Sequence, residues 1–207
     1  MRQDLCICQF APALSAKAKD LRLLLLTHTD ETRKITNTGR LLDAALPGCD
    51  LWLWQRKEFE ARWRDFLESQ TRTPVLLFPV EDSFTESVIR LDQQSAETEK
   101  QRLRLNHIYV FMDATWQQAK KMLRQSPSLQ SCVRLPLSLT SESLYTLRRN
   151  QNSGHFSTAE SGSGLMRSLD LDADADLMDA YFHRFLRHSE ANRSGYSLSE
   201  TEKQERD

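Results

Sequence analysis

Long apolar runs are missing from this chain of 207 residues. The runs it has, such as Leu23–Leu26 and Ile108–Met112, fall far short of the roughly 20 apolar residues that span a bilayer. Mean hydropathy is −0.58, which agrees. The first 20 residues place Asp4 near Arg2 and break up their apolar stretch with Lys17, Lys19 and Asp20, so they lack the order of a signal peptide. The expectation is a cytoplasmic protein with no membrane partner. Cysteine is also scarce: four residues are too few for a disulfide scaffold, and Cys49 and Cys132 are expected to stay reduced. Cys6 and Cys8 form a C-x-C pair with no C-x-x-C beside it, half of the four-ligand set that structural zinc needs, so zinc is not expected. No internal repeat, G-x-G-x-x-G or Walker sequence is present, which weakens dinucleotide and nucleoside-triphosphate readings.

Charge is nearly balanced overall, at −1, but unevenly spread. From Leu169 to Asp207 acidic residues outnumber basic ones by ten to five, which leaves residues 1–168 net positive. The window Gln117–Gln151 sets Lys120, Lys121, Arg124, Arg134, Arg148 and Arg149 against Glu142 alone. Such a cluster is either a solvated basic face or a surface for phosphates.

Strand-like runs fall at Leu21–His28, Leu51–Trp54, Pro74–Pro79, His107–Ala114 and Cys132–Leu137, several of them apolar throughout, as buried parallel strands are. Between them, helical spacing predicts helices over Glu31–Ala45, Arg56–Gln70, Thr115–Gln125, Ser157–Leu169 and Asp174–His188. Alternation of the two predicts an α/β fold with a mostly parallel sheet and flanking helices. Glu81–Arg104 is polar and reads as a loop with a partial helix, and residues 189–207 read as a mobile polar tail after one domain over 1–188.

In open parallel sheets ligands bind beyond the carboxyl ends of the strands, and three segments fall there. His28 ends the first strand; it can act as acid, base or donor, or simply bond the backbone. Asn37, Thr38 and Arg40 follow, with donors suited to phosphate or carboxylate, while Thr29 or Asp30 can cap the helix. The second segment runs Asp113-Ala114-Thr115-Trp116, straight from strand into helix, with Lys120 and Lys121 one turn on. Asp113 or Thr115 can cap that helix, and an indole in its first turn either packs under the sheet edge or offers a face to a base. The third leads from Leu147-Arg148-Arg149 to Ser157-Thr158-Ala159-Glu160, where Ser157 and Glu160 have the spacing of a capping box at a helix start able to bind an anion.

Asp113-Ala114-Thr115-Trp116 with Gln118-Ala119-Lys120-Lys121-Met122 resembles the D-x-T-W signature of the DTW-domain proteins, tRNA-uridine aminocarboxypropyltransferases. His28 with Glu31, Asn37-Thr38-Gly39-Arg40-Leu41-Leu42, Leu77-Phe78-Pro79, Leu147-Arg148-Arg149 and Ser157-Thr158-Ala159-Glu160 resemble the family's other blocks in the same order, from about Cys6 to Leu169. The resemblance implies a SPOUT-like fold, knotted near the cofactor site. It also implies binding of S-adenosylmethionine and transfer of its 3-amino-3-carboxypropyl group to N3 of a tRNA uridine, in the variable loop, with release of 5′-methylthioadenosine. The family's C-x-x-C before the C-x-C is not matched here, so a zinc site is not carried over.

On this reading Asp113 accepts or orients the N3 proton, with Thr115 and Trp116 completing the catalytic group and the indole stacking on or walling the uracil. An ordinary carboxylate is a poor base for N3, so Asp113 should have a raised pKa or a mainly orienting role. The cofactor is expected at Phe78, Pro79, Leu135, Pro136 and Leu137, and at Ser157, Thr158 and Glu160, where the helix N–H groups would hold the methionine carboxylate. RNA is expected at His28, Asn37, Thr38, Arg40, Lys120, Lys121, Arg148 and Arg149, in a monomer or homodimer. The rival readings are an RNA methyltransferase of the same fold, in which another carbon of the sulfonium is attacked, and a non-catalytic RNA-binding protein.

Overall fold

Five parallel strands run through the computed structural model: β1 (Leu23–Thr27), β2 (Cys49–Leu53), β3 (Thr73–Leu76), β4 (His107–Asp113) and β5 (Val133–Arg134). The structure describes residues 5–79, 88–91, 95–137 and 156–195. Strand order is β2-β1-β4-β3-β5. All five lie within the runs expected from the sequence, apart from the starts of β2 and β3. The all-leucine run of β1 is buried at every position because the strand is flanked by neighbours on both edges and by helices on both faces.

Alternate strand residues feed the two faces, as the two-residue period of a strand requires. Leu23, Leu25, Tyr109 and Phe111 meet the helices α2 (Gly39–Ala45), α7 (Thr158–Ser168) and α8 (Asp172–Ser194). Leu24, Leu26, Ile108 and Val110 meet α3 (Arg56–Ser69), α5 (Trp116–Arg124) and α6 (Pro127–Gln130) through Phe59, Trp63, Phe66, Met122 and Leu129. The chain leaves β1 for α2 on the first face and leaves β4 for α5 on the second. The carboxyl ends of the neighbours β1 and β4 therefore form a topological switch point, where Thr27 pairs in register with Asp113. α1 (Ala16–Lys19) is tied to α8 where the Ser15 hydroxyl and N–H donate to the Asp174 carboxylate, both at 2.7 Å.

Two sequence expectations are corrected, at α2 and α8, and one is given its bounds. Helix α2 begins at Gly39 rather than Glu31, because a 3-10 turn over Thr29–Glu31 and a loop carry the chain over the sheet end first. The turn is capped by His28, whose Nδ1 accepts from the Asp30 N–H at 3.2 Å, and not by Thr29 or Asp30. The partial helix expected within Glu81–Arg104 is α4 (Glu97–Asn106), which runs two residues beyond that segment. Its buried side is disguised in the sequence: Leu103 is joined by Lys100 and Arg104, whose charged heads bond Asp170, Glu97 and the Leu169 carbonyl while their stems lie inside. Finally, α8 continues past His188 to Ser194 and ends at Gly195 in the left-handed conformation, φ 75°. Ser189 and Ala191 are buried, and His188 Nδ1 lies 3.0 Å from the Leu5 carbonyl, so this part of the expected tail packs against the N-terminal segment. The tail beyond 195 lies outside the described residues. Among the described residues no helix is long and apolar enough to cross a membrane.

Candidate active site

Asp113 ends β4 at the switch point and is 1% exposed. Its Oδ2 accepts from the Asn37 amide at 2.6 Å and the Thr27 hydroxyl at 3.2 Å, and its Oδ1 accepts from the Thr158 hydroxyl at 2.8 Å. One carboxylate thus joins β1, the loop before α2 and the start of α7. Its own carbonyl takes the His28 N–H at 3.1 Å, continuing the β1–β4 ladder. Burial pushes the Asp113 carboxyl above its ordinary value; the three donors pull the other way, and the neighbouring Glu31 charge adds to the rise. Glu31 is itself fully buried and held by the Lys34 ammonium at 2.8 Å.

Glycine at 39 follows from this crowding. A Cβ there would lie 2.9 Å from both Cγ and Oδ2 of Asp113, closer than side chains pack. Thr27 and Gly39 are absent from the site residues expected from sequence; the signal for Thr27 was its place at the strand end, which became meaningful only through the register with Asp113.

Asn37 and Thr38, expected at RNA, are each 3% exposed and turned inward. Asn37 serves Asp113, and the Thr38 hydroxyl accepts from the Ala159 N–H at 3.4 Å, fixing α2 to α7. Both therefore shape the carboxylate's pocket rather than an outer surface. Arg40 is exposed beside them, with Nη2 donating to the Thr32 carbonyl at 2.5 Å. His28 is half-buried and stacks on Trp54, centroids 6.2 Å apart at 21°. Because its Nδ1 accepts from Asp30, the neutral ring carries its proton on Nε2.

Thr115, expected in the catalytic group, caps α5 in a reciprocal box with Gln118, so its hydroxyl is engaged at the helix start. The Gln118 amide reaches across to Asp30 at 3.0 Å, linking α5 to the turn after β1. Trp116 stacks on Phe78, centroids 4.9 Å apart at 14°, with the Lys120 ammonium 5.0 Å from the indole centroid. Arg134 lies 6.0 Å from the Phe78 ring and donates to the Pro79 carbonyl at 3.4 Å. The β5 exit follows: Leu135 is buried, its N–H donating to Leu76 at 3.0 Å, and Pro136 and Leu137 are half-buried behind it. The structure thus brings Phe78, Pro79, Leu135, Pro136, Leu137 and Trp116 to one end of the sheet. Lys121 is exposed on α5, and Arg148 and Arg149 lie outside the described residues.

The capping box of α7 is formed as expected. Ser157 Oγ accepts from the Glu160 N–H at 3.3 Å, and the Glu160 carboxylate accepts from the Ser157 N–H at 2.7 Å. With the Ala159 N–H given to Thr38, only the Thr158 N–H of that opening turn has no partner among the described residues, fewer than the open helix start the sequence suggested. Cys6 and Cys8 are exposed, with sulfurs 3.0 Å apart, and no group of three metal-ligating side chains occurs among the described residues.

No solved structure matches the chain. The DTW domain matches residues 1–190, a span that covers every block from the C-x-C pair to α8 and includes the buried Asp113 and stacked Trp116 of the signature itself. The chain belongs to the DTW-domain family.

Proposed function

We propose that this protein transfers the 3-amino-3-carboxypropyl group of S-adenosylmethionine to N3 of a uridine in tRNA, in the variable loop, releasing 5′-methylthioadenosine. We place it with SPOUT-like enzymes, knotted near the cofactor site. Membership of the DTW family is consistent with a tRNA-modifying activity. The observation that carries the reading is the buried Asp113 carboxylate at the switch point, raised in pKa and set three residues before the Trp116–Phe78 stack.

The residues present fit the cofactor. Phe78, Leu135 and Leu137 offer an apolar strand end for a nucleoside, Lys120 and Arg134 bring two cations to the same ridge, and Thr158 offers an N–H for a carboxylate. When bound, S-adenosylmethionine supplies a carbon made reactive by the adjacent sulfonium. The protein's part is to present N3 in line with that carbon and to take its proton. Asp113 does this better than an ordinary carboxylate because burial makes it more basic. Thr27 and Asn37 are buried and hold Oδ2; Thr158 is half-buried and holds Oδ1, so the uracil imide approaches on the Oδ1 side, with the Thr158 hydroxyl giving way. Trp116 walls the base. Arg40, Lys120 and Lys121 are exposed near this end and serve tRNA phosphates.

The test is incubation of the protein with S-adenosylmethionine and unmodified tRNA, followed by mass spectrometry of the digested nucleosides and the spent cofactor. Aminocarboxypropyluridine with 5′-methylthioadenosine is the expected result. Methyluridine with S-adenosylhomocysteine would replace the reading by methyl transfer, and binding of tRNA without either product would replace it by an RNA-binding role.

A further inference from the structure

Strand β2 is an edge of the sheet, and among the described residues nothing pairs with its outer side. The Leu23 N–H donates to Gly48 and the Trp54 N–H to Thr27, both at 2.9 Å. Since a parallel strand turns alternate residues to its neighbour, Asp50 and Trp52 also face β1. The N–H and C=O groups of Leu51 and Leu53 therefore point outward, together with the Cys49 carbonyl, while the Cys49 N–H is given to Leu46 at 3.1 Å. Leu51 is 45% exposed, among the most exposed large apolar residues described. The strand has no lysine, proline or bulge of the kind that blunts a free edge.

The charges beside this edge are complementary to each other but not paired. Among the described residues Asp50, which is exposed, has no hydrogen bond or ion pair, and Arg62 of α3, 3.8 Å over the Trp52 ring, has no carboxylate partner. We propose that β2 pairs antiparallel with β2 of a second copy of this chain, about a two-fold axis at Leu51. In that register Leu51 faces the partner's Leu51, and Leu53 faces the partner's Cys49, so that the outward backbone groups form about four hydrogen bonds and the two sheets become one. Asp50 then lies opposite the partner's Trp52, under the guanidinium of the partner's Arg62, and the axis repeats this pair. A strand of another protein would have to supply both the charge and the register that this edge supplies to itself. A net charge of −1 opposes such association little. The described groups that hold Asp113 all come from one chain, and antiparallel pairing sends the two carboxylates to opposite ends of the joined sheet.

The experiment is sedimentation of the full chain over a rising concentration series. The expected result is a shift from 24.0 kDa to twice that mass. Asp50→Arg and Arg62→Glu are each expected to weaken the dimer at least tenfold, and the double variant to restore it, while cofactor binding stays unchanged in all three. In a Cys6→Ser, Cys8→Ser background, Leu51→Cys is expected to form a disulfide-linked dimer on mild oxidation, since a hydrogen-bonded antiparallel pair sets the two Cα atoms about 5.5 Å apart, within disulfide reach. A chain that stays monomeric throughout, a dimer indifferent to Asp50→Arg, or a Leu51→Cys variant that does not cross-link overturns the proposal.

Discussion

Asp113 carries two opposed demands, and its environment separates them. Burial favours its protonated form, yet three donors are aimed at it, which only the ionised form uses fully. The native carboxyl holds its proton more tightly than the unfolded one. Its contribution to stability is therefore greatest below the ordinary aspartate pKa and falls as pH rises through the window up to the raised native value. Asp113→Asn should remove that slope in a series of thermal melts. Asparagine keeps an acceptor for Thr27 and Asn37, and the Thr158 hydroxyl can turn to accept, so this variant is expected to fold while losing about 10²–10⁴-fold in transfer rate. Asp113→Ala strands three donors in a closed site and should cost about 3 kcal/mol or more in urea unfolding. Near-normal turnover by a folded Asp113→Asn would remove the proton-accepting role. At Gly39 the added methyl of alanine meets a carboxylate that cannot retreat, because three donors fix it. Gly39→Ala is expected to destabilise by about 1–3 kcal/mol despite alanine's better helix propensity, and to lower transfer activity with it.

At the scale of elements, the site is a meeting of ends. The β1 and β4 carboxyl ends supply Thr27 and Asp113, the loop before α2 supplies Asn37, and the first turn of α7 supplies Thr158. The capping boxes of α5 and α7 place these helix starts; the α7 box was legible in the sequence because a box is a local pattern of four residues, whereas at α5 the sequence reading offered only Asp113 or Thr115 as a cap and left out the Gln118 half. Helix α4 was legible only as a partial helix without bounds, because two of its buried residues are charged and their partners lie elsewhere in the chain. The Lys100 side chain is 2% exposed, and its ammonium is bonded to both oxygens of Asp170 at 2.8 Å. Asp170→Asn keeps the residue's tolerance of its φ of 55° but leaves that ammonium without a counter-charge. The expected cost is about 2 kcal/mol, below that of a fully buried pair because Asp170 is itself half exposed. Lys100→Met, which removes the charge and keeps the stem, should cost less; the two unfolding curves side by side decide it.

For the whole molecule, the fold separates a dry site from the charged groups around it. Arg40, Lys120 and Lys121 are exposed near the carboxyl end of the sheet, while most acidic residues of the last third follow α7. Binding through about four phosphate contacts, Arg148 or Arg149 among them, predicts that the logarithm of tRNA affinity falls against the logarithm of salt with a slope of about −3; a flat dependence would contradict it. The sequence by itself determined the α/β class, the approximate place of every strand and the α7 capping box, because each depends on residue patterns a few positions long. It also determined the family, through blocks whose order survives without any knowledge of contacts. Only the tertiary structure decided that Asn37 and Thr38 turn inward, that Thr115 is spent on a cap, that Thr27 and Gly39 belong to the site, and that α8 runs on to Ser194. Each of these depends on a partner far along the chain, and which distant groups meet is set by strand order and helix packing, not by local pattern.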